Sequence, residues 1–163
     1  MSGRYLVVAA RIRQELGDLE RVVVRAERAL TQARQRPEDQ DLYLDSAALN
    51  LHDFYTGLER IFHQIAAMVD GSMSTAREWH RDLLRQMSID LAQTRPPVLS
   101  AETTKMLDEY LSFRHVVRNI YAFEFDWERI ERLIRRLRPA YEQVETELLS
   151  FADFLERVGG KEP

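Results

Sequence analysis

Between positions 113 and 121 the sequence reads Phe113-Arg114-His115-Val116-Val117-Arg118-Asn119-Ile120-Tyr121. Arg114, His115, Arg118 and Asn119 crowd into this short run, and a buried helix seam rarely needs such a set because charged side chains stay at the surface unless paired. Their types suit chemistry at an anion. A histidine takes up or releases a proton near neutral pH, since its unperturbed pKa lies near about 6.5. Arginine presents a planar fork of donors that grips phosphate-like oxygens in pairs. Asparagine orients and donates hydrogen bonds but does not shuttle protons in this pH range. The competing reading of the same residues is a solvated helix face.

Other titratable groups invite a metal reading. Glu59 and His63 are four apart on one helix face, and His52 lies seven residues before Glu59. Di-iron bundles instead use a glutamate and a histidine three apart, twice over, with further glutamates. That second motif is absent from the sequence, so neither a metal site nor a cofactor is expected. No phosphate-cradling glycine loop, serine–histidine–acid arrangement or DNA-reading module stands out. Trp79 and Trp127 read as core or helix-contact residues.

Composition narrows the class further. The 163 residues carry a formal net charge of −4, so the surface as a whole does not attract nucleic acid. The basic residues are nevertheless almost all arginine, with Lys105 and Lys161 the only lysines. That bias is either simple residue usage or a preference for phosphate-binding forks, and clustering separates the two better than counting. Cysteine is absent, which excludes disulfides and thiolate metal sites and fits a reducing compartment. There is no signal-peptide pattern and no apolar window long enough to span a membrane, so the expected location is the cytoplasm.

The elements that must carry these residues follow from periodicity. Ala9, Ile12, Leu16, Leu19, Val23, Ala26, Leu30 and Ala33 alternate spacings of three and four, which predicts a helix ending near Arg36, ahead of Pro37. A second helix is predicted from about Leu42 to Val69 on Leu44, Ala47, Leu51, Phe54, Leu58, Ile61, Ile65 and Met68, with Gly71 placed to end it. Ala48, Tyr55, Phe62 and Val69 widen its stripe, suggesting more apolar surface than one bundle needs and hence a dimer. A shorter third helix is expected to carry Trp79, Leu83, Met87 and Leu91 up to Pro96-Pro97. Ser100 reads as the N-cap of a fourth helix bearing Leu107, Tyr110, Val117 and Tyr121 on one stripe. Asp126 caps a last helix with the seam Trp127, Ile130, Ile134, Leu137, Tyr141, Val144, Leu148, Phe151 and Leu155, kinked at Pro139. Three long helices of roughly 40 Å hide their seams only against each other. The expected fold is all-α: one antiparallel up-and-down bundle of four to five helices over 1–158, with a disordered tail at 159–163.

The 113–121 stretch resembles the motif of HEPN-domain ribonucleases, particularly the HepT-like toxins of prokaryotic toxin–antitoxin modules. That motif is an arginine, usually followed by a small polar residue, then a histidine after four intervening residues and a tyrosine two further on. Phe113 matches the apolar residue that often precedes the arginine, Arg114 the arginine and Tyr121 the tyrosine. The segment 49–62, Leu49-Asn50-Leu51-His52-Asp53-Phe54-Tyr55-Thr56-Gly57-Leu58-Glu59-Arg60-Ile61-Phe62, is similar to a second-helix segment of these proteins. One departure stands out: Asn119 occupies the histidine's position, and His115 the place where asparagine is common. Positions 115 and 119 are one helical turn apart, so an imidazole at either reaches much of the same space.

The resemblance implies a metal-independent endoribonuclease toxin, with tRNA among its possible targets. Such cleavage needs a base for the ribose 2′-hydroxyl, an acid for the leaving oxygen and positive charge at the phosphorane. By resemblance Arg114, His115 and Asn119 are the catalytic positions. Family members work as homodimers with both motif copies facing one cleft, where Arg118, Arg132, Arg135 and Arg136 would bind RNA, and Arg129 and Arg138 would extend the charge. The alternative for that arginine run is a solvated flank paired with Glu128 and Glu131. The resemblance also implies an MNT-type nucleotidyltransferase antitoxin that silences the toxin by adding AMP to Tyr121; the alternative is a seam tyrosine. A second functional reading keeps the HEPN dimer but not the catalysis, leaving an RNA- or protein-binding module.

Overall fold

The computed structural model describes residues 2–161. Five α-helices follow one another: α1 Ser2–Gln35, α2 Gln40–Ile65, α3 Trp79–Gln86, α4 Ala101–Asn119 and α5 Trp127–Gly159. Among the described residues there is no strand, only one isolated bridge between Leu91 and Arg95. All eight residues of the α1 seam are buried. So is the α5 seam from Ile130 to Leu155, while Trp127 packs at its edge. Core residues from all five helices join one cluster.

Polar rungs fix the relative directions. Arg13 donates to Glu156 and Asp153, Arg138 to Glu20 and Glu27, and Arg34 to Glu131, so α1 and α5 run antiparallel. Arg11 to Gln64 and Arg60 to Glu15 do the same for α1 and α2. The Tyr110 hydroxyl donates to the Leu133 carbonyl, and Thr103 contacts Glu147, tying α4 to α5 antiparallel. The α1–α2 pair closes tightly at Gly57, where an added Cβ would lie 2.6 Å from the Leu19 side chain. The missing Cβ leaves the space that the Leu19 side chain fills.

The helix ends obey local chemistry. The Ser100 hydroxyl accepts from the Thr103 amide and the Asp126 carboxylate from the Glu128 amide, each satisfying a first-turn donor. Beyond α2 the chain makes a π-helical turn over Ala66–Asp70, and Gly71 at φ 70° supplies the left-handed residue that stops it. Pro139 lies within α5, and the helix continues through it.

Four expectations need correction. The widened α2 stripe is consumed inside the protomer: Ala48, Tyr55, Phe62 and Val69 are all buried, because α2 meets α1, α3, α4 and α5. It therefore offers no surplus face for a partner. Helix α3 stops at Gln86 rather than running to Leu91, and the segment after it folds around a buried arginine. Helix α4 stops at Asn119, where Ile120 turns extended, so Tyr121 is not on its stripe. Finally, Gly159 is buried and is the last residue of α5 rather than the start of a tail. The rest of the expected tail reaches Glu162 and Pro163, which lie outside the described residues.

The arginine that organises residues 87–99 is Arg95. Its side chain is fully buried, with 0% exposed against 1% for Asp70, and the two pair at 2.6 and 2.8 Å. Its remaining donors reach the carbonyls of Gln86, Ile89 and Pro96. Every direction of the fork is thus used, which is what a buried guanidinium requires. This clamp replaces the missing last turns of α3. We predict that Arg95→Ala destabilises the fold by about 3–5 kcal/mol, the cost of leaving a buried charge unpaired. Exposed Arg135→Ala should stay within about 0.5 kcal/mol. Urea unfolding of both variants checks this, and equal midpoints would refute the clamp.

Candidate functional site

The 113–121 residues take distinct faces of α4 and its exit. Phe113 is buried and its ring is capped by the Arg129 guanidinium at 5.6 Å, which draws Arg129 into a cation–π contact. Arg114 turns towards α2. Its Nε donates to the Thr56 hydroxyl at 3.3 Å, and a terminal nitrogen lies 3.7 Å from Glu59. Only 11% of the Arg114 side chain and 9% of the Glu59 side chain are exposed. His115, Arg118 and Asn119 are exposed beside it.

Together these residues line one side of an open cleft of about 650 Å³. The opposite wall comes from the start of α3 and the residues before it, including Arg77, Glu78, His80 and Arg81. Arg81 pairs with Asp108 of α4 and holds the two walls together. His80 is the residue that sequence reasoning missed. Its Nδ1 lies 2.7 Å from the second carboxylate oxygen of Glu59, and its ring stacks on Trp79 with centroids 3.5 Å apart. One buried carboxylate therefore serves an arginine and a histidine at once. The sequence offered little signal for this, because His80 stands 21 residues from Glu59 on another element.

By spacing alone, Glu59 groups with His63 and His52. The structure directs its carboxylate to Arg114 and His80 instead, while His63 is exposed and lines a different groove between α1 and α2. Beside it, burial pushes the Tyr55 phenol far above its ordinary range; Glu59 adds to that shift and Arg114 opposes it. Tyr55 thus remains neutral in the core behind Glu59.

His115 and Asn119 do share a stripe. The Asn119 amide nitrogen donates to the His115 carbonyl at 2.6 Å and lies 3.3 Å from its Nδ1. A carbonyl only accepts, so the amide nitrogen is the donor, and the imidazole Nε2 is the nitrogen left for a substrate. The other arginines lie elsewhere in the protomer. Arg132, Arg135 and Arg136 line a separate shallow groove with Glu128 and Glu131, where Arg135 pairs with Glu131. Arg136 lies 3.6 Å from Glu109, and Arg138 is engaged by Glu20 and Glu27. Tyr121 sits just past α4, 70% exposed according to its surface area, stacked on Phe123 at 5.2 Å. Its exposure contradicts the seam alternative.

A family model described as HepT-like protein matches residues 46–155, well over half the chain. The chain belongs to the HepT-like protein family. The match runs from the first turns of α2 to the last turns of α5 and contains every cleft residue named above. Arg114, held by Thr56 and Glu59, and Asn119 both fall inside the match. No curated protein and no solved structure matches the chain. Among the described residues no helix is long and apolar enough to cross a membrane.

The Arg114–Glu59–His80 group has a thermodynamic consequence. Glu59→Gln keeps the volume but removes the charge that compensates Arg114 in a mostly buried site. We predict a loss of about 1–3 kcal/mol, the usual cost of leaving a buried polar group uncompensated. Exposed Glu142→Gln serves as the control, and thermal melts that show the two variants equally stable would contradict the arrangement.

Proposed function

We propose that this HepT-like protein is a metal-independent endoribonuclease toxin acting in the cytoplasm. The observation that carries the reading is Arg114: a guanidinium oriented by Thr56 and Glu59, standing in a cleft beside His115, Arg118 and Asn119. A guanidinium held in advance by the protein stabilises a phosphorane without reorganising as charge builds up. Arg118, exposed on the same wall, supplies a second positive contact to the RNA backbone. His115 supplies an imidazole within the same space.

The cleft is open to solvent, and its exposed residues lie at the surface where a second copy of the chain would complete it. A homodimer in which two such clefts face each other would bring both Arg114 groups to one scissile phosphate. It would also give Arg132, Arg135 and Arg136 a role as RNA contacts that the protomer alone does not supply. The neutralising partner in this reading is an MNT-type nucleotidyltransferase antitoxin. Tyr121 supports it as the AMP acceptor, because its ring is exposed just past the end of α4. A transferred AMP there adds negative charge next to Arg118 and occupies the RNA path.

Purified protein incubated with total RNA and tRNA in EDTA should cleave, and Arg114→Ala should lower the rate by about 10²–10³-fold. Activity that needs added magnesium or manganese would refute metal independence. Binding of RNA without cleavage would favour the degenerate binding module.

Co-expression with the nucleotidyltransferase should add one or more AMP masses to the chain, all lost in Tyr121→Phe. An adduct mapped to another residue, or none by intact-mass spectrometry, would remove the modification reading.

A further inference from the structure

The cleft contains a second imidazole that the family motif does not include, and its setting differs from that of His115. His80 approaches from α3, across the cleft from α4, with Nδ1 at 2.7 Å from a Glu59 carboxylate oxygen. An ionised carboxylate only accepts, so Nδ1 carries the hydrogen and Nε2 carries the lone pair. No protein partner claims Nε2 among the described residues. Trp79 stacks against the ring and restrains its rotation. The Arg114 guanidinium, 3.7 Å from the other oxygen of Glu59, helps to hold that carboxylate in place. A histidine oriented by a buried carboxylate is the arrangement that turns an imidazole into a general base.

We infer that His80 is the general base of the proposed cleavage, supplying across the fold the proton-transfer function that Asn119 does not perform. The inference rests on the nuclease reading above. In the step, His80 Nε2 takes the proton of the ribose 2′-hydroxyl while the 2′-oxygen forms a bond to phosphorus. The bond from phosphorus to the 5′-oxygen breaks, and that oxygen takes a proton from the His115 imidazolium. The products are a 2′,3′-cyclic phosphate and a 5′-hydroxyl. His80 releases its proton to water and His115 regains one, so the cycle needs no oxidant, reductant or further reactant. Glu59 acts as a positioning residue for both His80 and Arg114. The family histidine's absence at Asn119 is thereby accommodated by two imidazoles on opposite walls instead of by an exchange within one helix.

The test uses the full-length protein, an RNA oligonucleotide, and the same oligonucleotide with sulfur in place of the bridging 5′-oxygen. A thiolate leaves without protonation, so this substrate removes the need for the acid and keeps the need for the base. His80→Ala should lower kcat by about 10²–10⁴-fold on both substrates with little change in KM, the reach of general acid–base catalysis. His115→Ala should be impaired on the oxygen substrate and restored towards wild type on the sulfur one. His63→Ala, on the groove between α1 and α2, should behave as wild type on both. Thermal melts exclude unfolding, and His80→Gln, which keeps a polar side chain but cannot titrate, should be as inactive as the alanine variant. Near-wild-type cleavage by His80→Gln, or recovery of His80→Ala on the sulfur substrate, overturns the base assignment while the nuclease reading stands. A wild-type protein that cleaves neither substrate overturns both.

Discussion

The site depends on one buried carboxylate. Glu59 sits on α2 where burial makes a lone charge expensive, and it is retained because two partners from different helices converge on it. Arg114 arrives from α4 and His80 from α3, so the carboxylate links three elements that the chain connects only through loops. The same contacts that make the charge tolerable also hold an arginine and a histidine in fixed orientation. The ion pair to Arg114 and the hydrogen bond to His80 thus serve packing and orientation together.

Around that group the bundle is built to keep α3 in place. At eight residues α3 is too short to hold itself in water, because isolated helices of that length are marginal. Three contacts supply what propensity does not: Leu83, Leu84 and Met87 in the core, Arg81 paired with Asp108, and the Arg95–Asp70 clamp just beyond its end. The clamp closes a loop that would otherwise let the His80 wall drift from α4. Surface rungs such as Arg34–Glu131 contribute less, since exposed pairs are screened and flexible. Their value lies in register between α1 and α5.

Membership of the HepT-like family fits the helical layout, but the polar pairing in the cleft is read from this fold alone. Asn119 is spent on its own helix, bonded to the His115 carbonyl. His115 lines the cleft without a carboxylate partner, whereas His80 has Glu59. Arg132, Arg135 and Arg136 of α5 form a solvated flank within the protomer, and any larger role for them requires a second copy of the chain.

Much of the fold was legible in the sequence because helix periodicity is a local signal. The seams of α1, α2 and α5, the Ser100 and Asp126 caps and the Gly71 stop each follow from residues within a few positions of one another. Where the reading failed, the cause was tertiary. Leu91 looked like one more turn of α3 until the buried Arg95 drew the chain into a loop. Tyr121 looked like one more turn of α4 until Ile120 turned extended. The apolar width of α2 looked like a spare face, yet four neighbouring helices use it. By itself the sequence determined the helices, their buried faces and the Arg114 motif, all of which depend on spacing along the chain. Only the folded structure decided that Glu59 faces Arg114 and His80, because that meeting depends on where three helices cross, and no spacing along the chain encodes a crossing.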